Sequence, residues 1–316
     1  MINLINSMKK AFVYGGKRAM KTATLLVVAM VFAALPAVAE EIVFFDAATA
    51  GDGVWSWGSA RIKAEAGRLV VREANLKDAY GDVYPSDMFP YAPKARLSLD
   101  VERIFAGTFT LQVLCFRGPS LLQTIDLIKD SKEARSRVFR MSDVGVPPET
   151  QGVMFKLWVA NAKGASLVLK DLRYSLEVPG DKLVASVDFR DLSAWTNHAM
   201  EVQSTDNGVL LMPTGVEKAG SMWWTRSVEA TRTGSIILHV PQVSKSVTTL
   251  QLDVFDRDDQ YLGAVNVFEN VGSGWHGSPM SVLRWPEGAA RYQVKLWAAG
   301  GEGSFVGVDR LLIVED

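Results

Sequence analysis

Apolar and polar residues alternate in short runs along most of the chain, and turn residues bound the runs. Residues 97–101 (Leu-Ser-Leu-Asp-Val), 109–116 and 250–255 (Leu-Gln-Leu-Asp-Val-Phe) follow this pattern. A period of two puts every second side chain on one face of a sheet, so these segments read as strands. Gly67 leads into Arg68-Leu69-Val70-Val71, and Asn207-Gly208 leads into Val209-Leu210-Leu211, a turn pair feeding a strand. Asp256-Arg257-Asp258-Asp259 joins residues 250–255 to 261–268 as a hairpin loop. Residues 153–160 pair with 167–176, matched later by 291–298 with 304–314. The one helical expectation is the short charged stretch 131–137. The fold class is therefore all-β, with short strands at the spacing of a sandwich.

The pattern occurs twice. Lys156-Leu157-Trp158 returns as Lys295-Leu296-Trp297, a shift of 139 residues. The same shift lays residues 250–255 on 111–116 and residues 236–240 on 97–101. Toward the N-terminus it drifts by a residue or two, setting Gly208 on Gly67 and Trp195 close to Trp55. Self-similarity at one register reads as two copies of one domain. The expected organisation is a leader at 1–39, a first sandwich at 40–178, a linker at 179–183 and a second sandwich at 184–316.

The leader expectation rests on Lys9, Lys10, Lys17, Arg18 and Lys21, an apolar run from 25 to 35, and Ala37-Val38-Ala39. That order is a basic region, a signal-length apolar core and a small-x-small cleavage site. Met20 is an alternative start. A membrane-spanning helix needs about 20 apolar residues, more than this run supplies. The mature protein is expected to be secreted, periplasmic or held at the cell envelope, without a membrane span. Removing those five cations leaves 29 Lys and Arg from 34, against 35 Asp and Glu, a net near −6. No basic face for nucleic acid is expected. Cys115 is the one cysteine, which excludes an intrachain disulfide, and its place in an apolar strand predicts a buried, inert thiol.

The order of these features resembles the jelly-roll carbohydrate-binding modules, the galactose-binding-like sandwiches attached to secreted polysaccharide enzymes. The matching positions are Trp55 or Trp195 in a first strand, Gly67 or Gly208 leading a second, Asp256–Asp259 in a hairpin, and Asp171 or Asp309 in a closing strand. The first copy departs from the pattern with Arg117-Gly118-Pro119-Ser120 at the hairpin. The resemblance implies two tandem jelly-roll β-sandwich domains, a polysaccharide or glycan partner, and a structural calcium in each. Its acids would be Asp46 with Asp171, and Asp188 or Asp191 with Asp309.

Sugar rings present apolar C–H faces to aromatic side chains and hydroxyls to polar ones, and the chain holds nine tryptophans. Trp158 and Trp297, inside apolar strands at equivalent positions, read as core; Trp55 and Trp195 stay open between core and cleft. Trp223 and Trp224 are consecutive on an extended segment and must point to opposite faces. Trp224, set beside Tyr84 by the repeat, is the expected platform of the two. Trp275 stands in the glycine-rich Val271-Gly272-Ser273-Gly274-Trp275-His276-Gly277 and is expected to bind from a loop. Its alternative is to fold back onto its own or the neighbouring domain. The expected ligand set is Trp275, Trp224 and Tyr84 for stacking, with His276, Arg226 and Asn266 as polar partners.

Catalytic signatures are missing from the sequence. His198, His239 and His276 lack zinc-site spacing, and no Gly-x-Ser-x-Gly elbow occurs. A Glu-x-Asp-x-x-Glu strand is absent, although a glycosidase pair can be assembled from distant strands. The expectation is a non-catalytic carbohydrate-binding protein; the alternatives are an envelope module whose aromatics contact protein and, behind it, a glycan-active hydrolase or lyase.

Overall fold

The computed structural model describes residues 40–50, 59–65, 68–73, 80–85, 87–187, 189, 191–214 and 218–315. The leader at 1–39, Trp55, Gly67 and Asp188 lie outside the described residues. The chain is all-β. Among the described residues no helix is long and apolar enough to cross a membrane.

The strands up to residue 178 are β1 (Glu40–Asp46), β2 (Ala60–Glu65), β3 (Arg68–Glu73), β4 (Tyr80–Val83), β5 (Phe89–Pro90) and β6 (Arg96–Ala106). They continue with β7 (Thr108–Arg117), β8 (Ser120–Ser131), β9 (Ser136–Arg140), β10 (Gly152–Ala160) and β11 (Ser166–Val178). One sheet has the order β2-β3-β11-β6-β9 with β1 also on β11; the other runs β4-β10-β7-β8 with β5 on β10. The stretch expected as a helix, 131–137, instead ends β8 and begins β9, whose Arg137 lies opposite Leu99 on β6. So short a helix is marginal on its own, and pairing along the sheet edge prevails.

After the 3₁₀ turn Gly180–Lys182 come β12 (Leu183–Val187), β13 (Trp195–His198), β14 (Met200–Thr205), β15 (Gly208–Pro213), β16 (Ala219–Trp224) and β17 (Val228–Glu229). Then follow β18 (Ser235–Val240), β19 (Gln242–Phe255), β20 (Tyr261–Val271), β21 (Gly274–Pro279), β22 (Arg291–Val308) and β23 (Arg310–Val314). The smaller sheet is β12-β23-β18-β21; the larger has β22 at its centre, bonded to β16, β15, β17 and β19, with β20 on β19. The sheet orders correspond: β11-β6-β9 to β23-β18-β21, and β4-β10-β7-β8 to β16-β22-β19-β20. Even the 3₁₀ turns Met141–Asp143 and Met280–Val282 stand 139 residues apart, each opening on a buried methionine.

Alternation builds the cores. On β10, Val153, Phe155, Leu157 and Val159 are buried; on β22 the same places hold Tyr292, Val294, Leu296 and Ala298. Each fully buried side chain of this size contributes about 1.5–3 kcal/mol through area removed from water. Two apolar clusters result, one for each pair of sheets, and the first takes in Ile237, Leu312 and Val314 from the second. Phe44 packs edge-on against Trp275 with ring centroids 5.5 Å apart, Arg310 pairs with Glu40, and the Glu315 amide donates to the Lys182 carbonyl at 2.9 Å. Residues 40–316 thus form one compact unit. Gly107, with φ +78°, turns β6 into β7 where a Cβ would lie 2.1 Å from the Ala160 carbonyl, so only glycine fits.

Candidate functional site

Because Leu157 and Leu296 point into the cores, their neighbours at ±1 share the opposite face. Lys156 and Trp158, and Lys295 and Trp297, therefore face outward and are half-buried. The expectation that Trp158 and Trp297 are core residues is corrected: a lysine two places away fixes the tryptophan on its own face.

On the second sandwich this face carries a row in strict register. Trp223 on β16 lies opposite Lys295 on β22, Lys295 opposite Gln251 on β19, and Gln251 opposite Asn266 on β20. The Lys295 ammonium sits 4.5 Å from the Trp297 ring centroid and 5.9 Å from that of Trp223. Hydrogen bonds then run one way along the row. Trp297 Nε1 donates to Gln251 Oε1 at 3.2 Å, Gln251 Nε2 to Asn266 Oδ1 at 2.8 Å, and Asn266 Nδ2 to Glu269 Oε1 at 2.6 Å.

The first sandwich repeats the row. Lys156 lies opposite Gln112, and Gln112 opposite Asp126. The Lys156 ammonium is 4.7 Å from the Trp158 ring and 5.9 Å from Tyr84, which stands 139 residues before Trp223. Gln112 Nε2 donates to Asp126 Oδ1 at 2.7 Å.

The lysines differ in their acids. Lys156 contacts Asp82 on β4 at 2.8 Å, whereas Lys295 is 4.0 Å from Asp253 on β19. Burial alone would raise the Asp82 carboxyl, but hydrogen bonds from Lys156 and Ser59, with the lysine charge, outweigh it and hold the group below the usual carboxylate value. At Asp253 burial prevails over the more distant Lys295 and the pKa is raised. The Lys156–Asp82 pair is thus tight and the Lys295–Asp253 pair loose.

The structure redistributes the expected ligand set. Tyr84 and Asn266 belong to the two rows. Trp224 does not: it is buried, stacked on Trp195 at 6.3 Å beside Phe189, with Arg226 over its ring at 5.8 Å. Trp223 is the outward member of that pair, and the 139-residue shift, rather than a drifting one, identifies it as the partner of Tyr84. Trp275 and His276 are on strand β21, not in a loop; β21 pairs with β18, which puts Trp275 opposite His239. Trp275 is half-buried between the His239 ring at 4.3 Å and Phe44 of the first sandwich, the fold-back alternative. His276 Nε2 donates to the Gly272 carbonyl at 2.9 Å, and burial is the main cause of its lowered pKa.

Trp275, His276 and Asn266 nevertheless meet at one place. They line a groove of about 470 Å³ between the sandwiches, with Phe268 on the same side and Phe89 and Pro119 across from them.

The acids expected to hold calcium turn to other partners. Asp46 Oδ1 accepts from the Ala48 amide and its Oδ2 faces Arg173 Nε at 3.6 Å. Asp171 accepts from Ser98, Asp191 from the Ser193 amide, and Asp309 pairs with His239 Nδ1 at 2.8 Å. Among the described residues no three His, Cys, Asp or Glu side chains are grouped to hold a metal. Calcium takes six to eight oxygens, and these donor sets do not fit it. Asp256 serves its hairpin, its Oδ1 accepting from the amides of Asp258 and Gln260.

No family model and no curated protein matches the chain. Among solved structures it is similar to the N-terminal CBM22-1-CBM22-2 tandem domain of Paenibacillus barcinonensis Xyn10C. Identity is 11% over 89% of this chain and 100% of that one, with a TM-score of 0.28. The enzymatically active domain of bacteriophage CBA120 tailspike protein 4 is similar at 11% identity and TM-score 0.30, over 41% of this chain and 20% of that one. Paenibacillus xanthan lyase is similar at 14% identity and TM-score 0.29, over 83% of this chain and 25% of that one. The chain thus spans a quarter or less of the latter two, and superpositions this loose carry no functional argument.

Proposed function

We propose that this protein is an exported, non-catalytic carbohydrate-binding protein built from tandem copies of one sandwich, and that it binds glycan on the outer faces of the larger sheets. The observation that carries the reading is the repeated row: Trp223, Lys295, Gln251 and Asn266 with Trp297, echoed by Tyr84, Lys156, Gln112 and Asp126 with Trp158. Aromatic rings interleaved with amide, carboxylate and ammonium groups offer stacking for sugar C–H faces and hydrogen bonds for hydroxyls. Packing within the sheet does not require this set, because the opposite face of the same strands fills the core. Four adjacent strands span about 14 Å, so the row suits an extended chain rather than one ring.

The test is binding of the mature protein to a broad polysaccharide panel, beside Trp223→Ala and Tyr84→Ala. Loss of an aromatic anchor is expected to weaken binding on the order of 30-fold, the effect of a 2 kcal/mol hot spot. A second reading, docking to an envelope protein, is favoured by the exposed Leu121, Leu122 and Val138 on edge strands β8 and β9. Binding to no glycan would favour it.

A further inference from the structure

The groove between the sandwiches is joined to the second row. Asn266 and Glu269 end the row's chain of hydrogen bonds and also line the groove, so the polar track runs to its rim. Beyond the rim the lining turns apolar: Phe268, Val271 and Trp275 on one side, Met88, Phe89 and Pro119 on the other. Contacts within the protein brace both walls. Gln151 accepts from the Gly118 amide at 2.9 Å and pins the tip that carries Pro119, while Trp275 is held between His239 and Phe44. The groove's volume falls within the range of small-molecule sites, and mostly apolar walls with a few convergent polar groups are their usual composition.

We propose that this groove takes an apolar substituent, acyl or aryl, of the same glycan whose polar part lies on the row. This rests on the carbohydrate reading and extends it to a ligand class: an acylated or aryl-substituted saccharide instead of a plain one. His276 agrees with an apolar occupant, since burial disfavours its charged form. Because the groove is shared by both sandwiches, an occupant also ties them together.

The probe is n-octyl β-D-glucopyranoside below its micelle concentration, titrated beside methyl β-D-glucopyranoside by calorimetry. Each buried methylene adds about fourfold in affinity, so three of them give the octyl glycoside an advantage on the order of 60-fold. Val271→Trp, which fills the groove from the second sandwich, and Met88→Arg, which charges it from the first, are each expected to remove that advantage. Trp223→Ala, remote from the groove, is expected to leave the octyl-to-methyl ratio unchanged while polysaccharide binding falls. Equal affinity for the two glucosides, or an octyl preference surviving both groove variants, overturns the proposal and leaves the row reading standing. Groove-dependent octyl binding with no response to any saccharide also overturns it, because the occupant would then not be part of a glycan.

Discussion

Truncating Leu296 and Trp297 in turn measures which of two adjacent residues faces the core. Leu296 is fully buried in the second apolar cluster, so Leu296→Ala removes its transfer energy and leaves a cavity, a loss of about 2–5 kcal/mol. Trp297 is half-buried on the outer face. What Trp297→Ala removes is a cation–π contact with Lys295, about 0.5–1 kcal/mol, and one hydrogen bond to Gln251, about 0.5–1.5 kcal/mol. Its expected cost is their sum, about 1–2.5 kcal/mol, at or below the bottom of the range for the smaller leucine. Urea unfolding of the two variants beside the parent, at matched m-values, reads both numbers. A tryptophan packed in a core costs about 3–5 kcal/mol on truncation. A Trp297→Ala loss equal to or above that of Leu296→Ala would refute the face assignment, and the binding row with it.

Two further outcomes follow from the first sandwich. Cys115 is buried in β7 and desolvation pushes its thiol up to about 11, so thiol reagents at neutral pH should label it only in denaturant; labelling of the native protein would contradict the packing. Asp82 has a lowered pKa in the fold, so its contribution to stability is complete above the ordinary 3.8 and is lost as the pH falls through the lowered value. Asp82→Asn should therefore flatten the acid limb of a stability–pH profile below about pH 4, an effect that Lys156→Met should share and that an unchanged limb would disprove.

The fold was legible because it is written in period-two alternation, which needs only local residues. The strands at 97–101, 109–116 and 250–255 and the Asp256 hairpin follow from it. The row was legible in principle: a lysine two places before a tryptophan on a strand fixes both on the wet face. Weighing Trp158 and Trp297 by their apolar neighbours instead assigned them inward. Trp224 and Trp223 show a different limit. Alternation says that one points out, but which one depends on cross-strand pairing with Trp195 and Lys295, residues far away in sequence. Trp275 could not be placed from its glycine-rich surroundings because its packing comes from Phe44, more than two hundred residues earlier. Nothing local announces the groove, whose walls come from strands of both sandwiches.

Glycan binding by the outward aromatic–lysine rows is directly measurable. The most direct measurement is affinity electrophoresis of the mature protein through a polysaccharide panel, with Trp223→Ala, Tyr84→Ala and their double variant run beside it. Retardation by at least one polysaccharide, weakened about 30-fold in the second-row variant and abolished in the double variant while stability is kept, is the predicted result. Retardation unchanged in the double variant would contradict the claim.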